Sequence, residues 1–178
     1  MSTVDAITFF DTRYRVRFPR ESVFDLMSDF PRYLTQLPEF HGAVISAERE
    51  ASKRDSEMAG NRYWISLPDN DYHYKTRLDI IDASRPEQLV YDYQYTALDD
   101  EQPLSVAASP MPWNRSRMTL TFEDDSGSTL VQSRMQVFGV SGFLSRWKVS
   151  VLKAHCARAQ RQANDNLVRV AENLLRQD

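Results

Sequence analysis

From Ser141 to Arg176 the sequence runs without a proline and, after Gly142, without a glycine, and it is rich in Ala, Leu, Arg, Lys and Gln. These residues lose little on entering a helix, and the two strongest breakers are missing. The segment therefore predicts one continuous C-terminal helix. Its apolar stripe reads through Leu144, Trp147 or Lys148, Leu152, Cys156, Ala159, Ala163, Leu167, Val170 and Leu174, in steps of three and four residues. Around the middle of that stripe the large members are Leu152, Leu167, Val170 and Leu174. Between them stand only Cys156, Ala159 and Ala163, so something else must fill the space opposite the middle of the helix.

What precedes the helix reads as strands with two short helices inserted near the start. From Ile7 to Phe18, Phe10, Thr12, Tyr14, Val16 and Phe18 alternate with Asp11, Arg13, Arg15 and Arg17, the pattern of a half-buried strand. Pro19 stops it. Glu21 to Asp29 carries Val23, Phe24, Leu26 and Met27 at helical spacing, and Pro31 to Leu37 reads as a second short helix closed by Pro38. Strands follow at Ala43–Ala51 and Glu57–Leu67. Next comes Asp71–Ile81, with Tyr72, Tyr74, Thr76, Leu78 and Ile80 on one face. After a turn at Arg85 and Pro86, Leu89, Tyr91, Tyr93 and Tyr95 align, opposite Asp92 and Gln94. Arg115–Asp124 and Ser128–Phe138 form a hairpin through Asp125, Ser126 and Gly127. The connection from Thr96 to Asn114 has three prolines yet keeps Leu104, Val106, Met111 and Trp113, and loops of that length usually have a task.

At 178 residues the chain suits one domain over residues 1–178, with no repeat or low-complexity segment to divide it. Its composition, 42% hydrophobic and 26% charged, supports a core, and no apolar run is long enough to cross a bilayer. The start, MSTVDAITFFD, lacks a secretion signal, so a soluble, cytoplasmic protein is expected. Cys156 is the single cysteine, and His41, His73 and His155 fall in different elements without metal-ligand spacing. No disulfide, metal site or redox cofactor is expected. A formal charge of -3 argues against nucleic acid as a partner.

The order of strand, two short helices, antiparallel strands and long terminal helix, together with the stretch RYRVRFPRESVFDLMSDFPRYLTQLPEF, resembles the START-like superfamily, also called SRPBCC. That superfamily includes pollen allergens, lipid-transfer domains, polyketide cyclases and coenzyme Q-binding proteins. The resemblance covers nearly the whole chain in architecture. In sequence it is concentrated in the first forty residues, where Pro19, Glu21, Val23, Phe24, Asp29 and Tyr33 look like the start of cyclase-like and coenzyme Q-binding members. It implies an α+β helix-grip fold: a curved antiparallel sheet gripping the terminal helix around a cavity for lipids, quinones, steroids or polyketides. No subfamily pattern and no catalytic residue carries over, and fold alone does not decide function.

Candidate ligand-binding residues are Tyr72, Tyr74, Tyr91, Tyr93 and Tyr95 on the strand faces, Met111 and Trp113 in the long loop, Met118, and His155, Ala159 and Ala163 on the helix. The tyrosines would give ring walls with polar tips, and they also favour strands for packing reasons alone. Met118, Met135 or the tyrosines could equally pack onto the small helical residues and leave no cavity. Met111 and Trp113 either cover a pocket mouth or tuck the loop onto the core. His155 is a candidate proton carrier, and lone histidines on a helix flank are more often structural. Asp99, Asp100 and Glu101, and Asp124 with Asp125, read as solvated turn carboxylates. No acidic residue occurs between Ser126 and Asn164, whereas Arg134, Arg146, Lys148, Lys153, Arg158 and Arg161 do. Such a patch suits an anionic membrane surface, a phosphorylated ligand or an acidic partner, unless acids such as Asp79, Asp92 or Glu123 neutralise it.

The leading expectation is a non-catalytic binding or transfer protein for a hydrophobic or amphipathic small molecule. Two alternatives stand beside it. One is an aromatase, cyclase or dehydratase using tyrosine, His155 or Arg158; the other is a protein-interaction module using the basic helix.

Overall fold

A computed structural model describes residues 6–48, 58–67, 74–98, 102–140 and 142–177. Strand β1 (Ile7–Val16) leads into helices α1 (Arg20–Ser28) and α2 (Phe30–Leu34) and a single 3-10 turn at Pro38–Phe40. Then come β2 (Val44–Glu48), β3 (Arg62–Ser66), β4 (Tyr74–Ser84), β5 (Gln88–Ala97), β6 (Arg115–Asp125), β7 (Ser128–Phe138) and α3 (Gly142–Leu175). The strands form one antiparallel sheet in the order β1-β7-β6-β5-β4-β3-β2. At 1.5 Å rise per residue, α3 is about 50 Å long, enough to cross that whole sheet.

Local chemistry accounts for the breaks. Pro19 ends the first strand and has no N–H to lose at the start of α1. Asp29 caps α2, its side chain accepting from the Arg32 N–H at 3.3 Å. Pro38, expected to close the second helix, instead opens the 3-10 turn, the position where its missing donor is harmless. Ser126 and Gly127, both at positive φ (53° and 85°), make the tight turn whose twist matches the β6–β7 hairpin.

The register puts Leu78, Ile80, Leu89, Leu120, Phe122 and Val131 on the helix-facing side, where they pack with Val16, α1 and α2 into the larger apolar cluster. A second, smaller cluster holds Trp113, Val137, Val140 and Val149, with Ile7, Phe9, Met111 and Met135 against it. Phe9 reaches it because it is the extra residue of a bulge in β1, between Thr8 and Phe10. Two side chains of α3 tie that helix to the backbone of the first strand segment. Glu172 accepts from the Arg17 N–H at 3.0 Å, and Lys153 Nζ donates to the Thr8 carbonyl at 3.0 Å. Helix α3 thus lies along the free edge of β1, with its last turns against α1 and the larger cluster.

The helix departs from the stripe the hydropathy pattern suggests at its start and in its middle. Leu144 and Trp147 face outward, and the inner line runs through Val149, Leu152, Cys156, Gln160, Ala163 and Asn164, Leu167 and Ala171, with Val170 and Leu174 also against the larger cluster as the pattern suggests. From Cys156, a step of four turns about 40° onward and lands on Gln160. A step of three falls back by about 60° and lands on Ala159, which is exposed. The apolar Ala159 drew the sequence reading; the polar Gln160 is the residue that faces in.

Candidate functional site

Between the two clusters, the helix-facing side of the sheet changes character. At one end Leu78, Ile80, Leu89 and Phe122 are closed off, and at the other Trp113 and Val137 are. The belt between them holds Thr12, Thr76, Tyr93, Tyr95, Met118 and Met135, which point toward α3 and keep some accessible surface, beside the buried Ser116 and Ser133. In a close-packed interior such residues would be covered. Along the β1 side of this belt, Phe9, Phe10, Asp11 and Thr12 and, from α3, Lys153, Cys156, Ala157, Gln160 and Arg161 line a cavity of about 270 Å³ that opens to solvent at its charged rim of Asp11, Lys153 and Arg161.

Aromatic edges stiffen the far wall. Tyr91 is buried and meets Phe30 and Tyr93 edge-on, with centroids 5.0 and 5.2 Å apart, and Tyr74 meets Tyr95 in the same way at 5.2 Å. Burial pushes the Tyr14 and Tyr91 phenols well above their ordinary range, and Tyr95 up to about 12. These are neutral phenols at physiological pH: hydrogen-bonding tips rather than bases.

Polar groups are few and specific. The Thr12 hydroxyl is buried, with no hydrogen-bond partner among the described residues. Opposite Thr12 in the register stands Ser133, whose hydroxyl donates to the Met118 sulfur at 3.4 Å. On the helix, Gln160 Nε2 donates to Asn164 Oδ1 at 3.2 Å, and Asn164 is itself almost fully buried. An apolar hollow with a small convergent set of polar atoms is the usual form of a small-molecule site.

The structure gathers some of the residues singled out from sequence and disperses others. Tyr74, Tyr91, Tyr93, Tyr95 and Met118 all lie on the helix-facing side, Tyr91 opposite Met118 in the register, and Ala163 is half-buried on the inner stripe of α3. Tyr72 lies outside the described residues, as does His73. Trp113 is 2% exposed and packs on Phe9 at 5.0 Å, so with Met111 it tucks the loop onto the smaller cluster rather than covering a mouth. His155 and Ala159 are corrected: both face solvent, because each is rotated by more than 60° from the inner line of α3. Arg158 is exposed too. Thr12, Ser133, Gln160 and Asn164 went unnoticed in the sequence. Thr12 had a signal, as the one small polar residue in the run Phe10, Thr12, Tyr14, Val16; the helical pair had none, since polar residues on a helix are ordinarily read as its wet face.

Asp92 and Gln94 sit on the outer face. Asp92 is buried there beneath Arg117, which donates through Nε and Nη2 to both carboxylate oxygens at 2.7 and 3.0 Å, with Arg115 Nη1 at 3.8 Å. The Asp92 bond holds the Arg117 guanidinium above its usual pKa. Asp79 is engaged by Arg62 and Arg77, and Arg134 pairs with Asp11 at 2.8 Å. Neither Asp79 nor Asp92 is therefore matched to the basic residues of α3. No helix among the described residues is long and apolar enough to cross a membrane, and no His, Cys, Asp and Glu group among them could hold a metal.

No protein-family profile matches the sequence, and no curated sequence matches it. Solved structures do match over nearly the whole chain. Ara h 8.0201 aligns with a TM-score of 0.62 at 10% identity, covering 98% of this chain and 100% of its own. A protein from Arthrobacter aurescens aligns at 0.61 and 14% identity, covering 97% and 92%. The di-domain ARO/CYC StfQ from the steffimycin biosynthetic pathway aligns at 0.59 and 12% identity, covering 94% of this chain and 50% of that one. At such identities the likeness is one of fold.

Proposed function

We propose that this chain, sharing the START-like helix-grip fold of those structures, binds a largely apolar small molecule in the hollow between its sheet and α3. The observation that carries the reading is the belt of accessible, helix-facing residues between two closed clusters, with the unpartnered Thr12 hydroxyl on its wall. Such a hollow suits a flat or elongated molecule of the lipid, quinone or polyketide kind, with one hydrogen-bonding group for Thr12 and Gln160. Binding without reaction is favoured over cyclase chemistry. The tyrosines are held neutral by burial, so none acts as a base, and the helical candidates, His155 for proton transfer and Arg158 for carbonyl polarisation, face away.

The test is saturable binding of 1-anilinonaphthalene-8-sulfonate, followed by displacement with long-chain acyl, quinone and polycyclic phenol competitors. One-to-one saturation with displacement by at least one class is expected. Weak, non-saturating fluorescence with no displacement would overturn the reading.

A further inference from the structure

We propose that the first turns of α3, with the groove beside them, form a docking surface for an anionic lipid membrane. Phe143, Leu144, Trp147 and Val151 are 82, 71, 56 and 48% exposed, although each is large and apolar. At 100° per residue they fall within an arc of about 100° on the side of α3 turned away from Val149, Leu152 and Cys156. Exposed apolar surface concentrated in this way marks a contact site. Beside it lies a groove of about 690 Å³, walled by Val106, Pro110 and Met111 of the long loop and by Trp147, Val151 and Leu152 of the helix.

Charge selects the occupant. Arg158 and Arg161 continue the apolar arc along α3, Lys148 borders it, and all three are exposed. Both chain segments that wall the groove, from Gln102 to Phe122 and from Ser126 to Asn164, contain no aspartate or glutamate. An amphipathic helix with Trp, Phe and Leu on one arc and basic residues around it is the pattern that lies in the headgroup layer of acidic bilayers. A second copy of the chain would set Lys148, Arg158 and Arg161 against their own equivalents, and nucleic acid would leave Phe143, Leu144 and Val151 without an apolar partner. This docking is peripheral, since α3 is too polar to cross a bilayer, and it stands independently of what the interior binds.

The experiment is cosedimentation of the ligand-free protein with phosphatidylcholine vesicles, with and without phosphatidylserine, together with Trp147 fluorescence. Partition is expected only with phosphatidylserine present, weakening steeply between about 0.05 and 0.5 M salt. Lys148→Gln with Arg158→Gln should lower the partition coefficient roughly 30-fold at low salt, from about one kcal/mol per basic residue. Phe143→Ser with Trp147→Ser should abolish partition while circular dichroism and urea midpoint stay unchanged, since both side chains are exposed. Trp147→Phe should keep partition and lose the blue shift on binding. Absence of partition at low salt, or equal partition by all variants, overturns the proposal. So does a concentration-dependent dimer, with no vesicle binding, that disappears in the Phe143→Ser, Trp147→Ser variant.

Discussion

Replacing Cys156 with phenylalanine separates a hollow from a packed core. Cys156 is half-buried, on the inner line of α3, and lines the cavity of about 270 Å³ along β1. An engineered apolar cavity of about 150 Å³ accepts benzene, so a phenyl ring fits with space to spare. If the region were close-packed, the ring would force neighbours off their rotamers at a cost of about 1 to 3 kcal/mol. In a hollow it covers apolar surface instead, and the balance should fall between no change and a gain of about 1.5 kcal/mol. With a urea m-value of about 2 kcal/mol per molar, the packed case lowers the midpoint by about 0.5 to 1.5 M and the hollow case leaves or raises it. Cys156→Ala controls for loss of the thiol. The same preparation, titrated with 1-anilinonaphthalene-8-sulfonate, should bind at least tenfold more weakly, because the ring takes up over half the space. A midpoint drop of about 0.5 M or more, or undiminished probe binding, would refute the argument.

Four further outcomes follow from the same geometry. Thr12→Val should raise the stability of the ligand-free protein by about 1 kcal/mol, by removing a buried hydroxyl with no partner, while weakening ligands that carry a hydrogen-bonding group; calorimetry reads both. Trp113→Ala should cost about 3 to 5 kcal/mol in urea melts, the penalty of a buried aromatic. Raised folded-state pKa values at Tyr14, Tyr91 and Tyr95 mean that the unfolded chain loses those protons first. Stability should therefore be full below about pH 10 and fall above it by up to about 1.4 kcal/mol per pH unit for each tyrosine, with Tyr95→Phe reducing the slope up to about pH 12. Arg117→Met should destabilise by about 2 kcal/mol because it strands buried Asp92, and adding Asp92→Leu should restore most of the loss.

Strand alternation was readable because each face has one environment: Tyr91, Tyr93 and Tyr95 point inward for the same reason that Asp92 and Gln94 point outward. The long helix was readable because nothing in it breaks. Its rotation was not. Near its start α3 is apolar on two sides, Val149 with Leu152 and Phe143 with Trp147, and hydropathy cannot say which side meets the sheet. Farther along, the inner positions Gln160 and Asn164 are polar, Gln160 lining the cavity and Asn164 buried beside it and bonded to it, which inverts the rule by which a buried face is recognised. Trp113 was ambiguous for a related reason: its partner Phe9 is more than a hundred residues away and reaches it only through a bulge.

The pairing of β1 with β7 has a kinetic consequence. Asp11 and Arg134, bonded across it, are 123 positions apart, whereas β4–β5 and β6–β7 close through short turns. Local hairpins form at small entropic cost, and the long closure that brings β1 home comes late. Thr12 and Phe10 ride on that strand, and α3 is fastened to its flanks at Thr8 and Arg17. With that closure expected to follow the main barrier, the hollow comes into being when the last wall is set. Substitutions inside it, and a molecule bound there, should leave the refolding rate nearly unchanged and act on the unfolding rate instead, so that an occupant governs how long a folded molecule lasts rather than how quickly one is made.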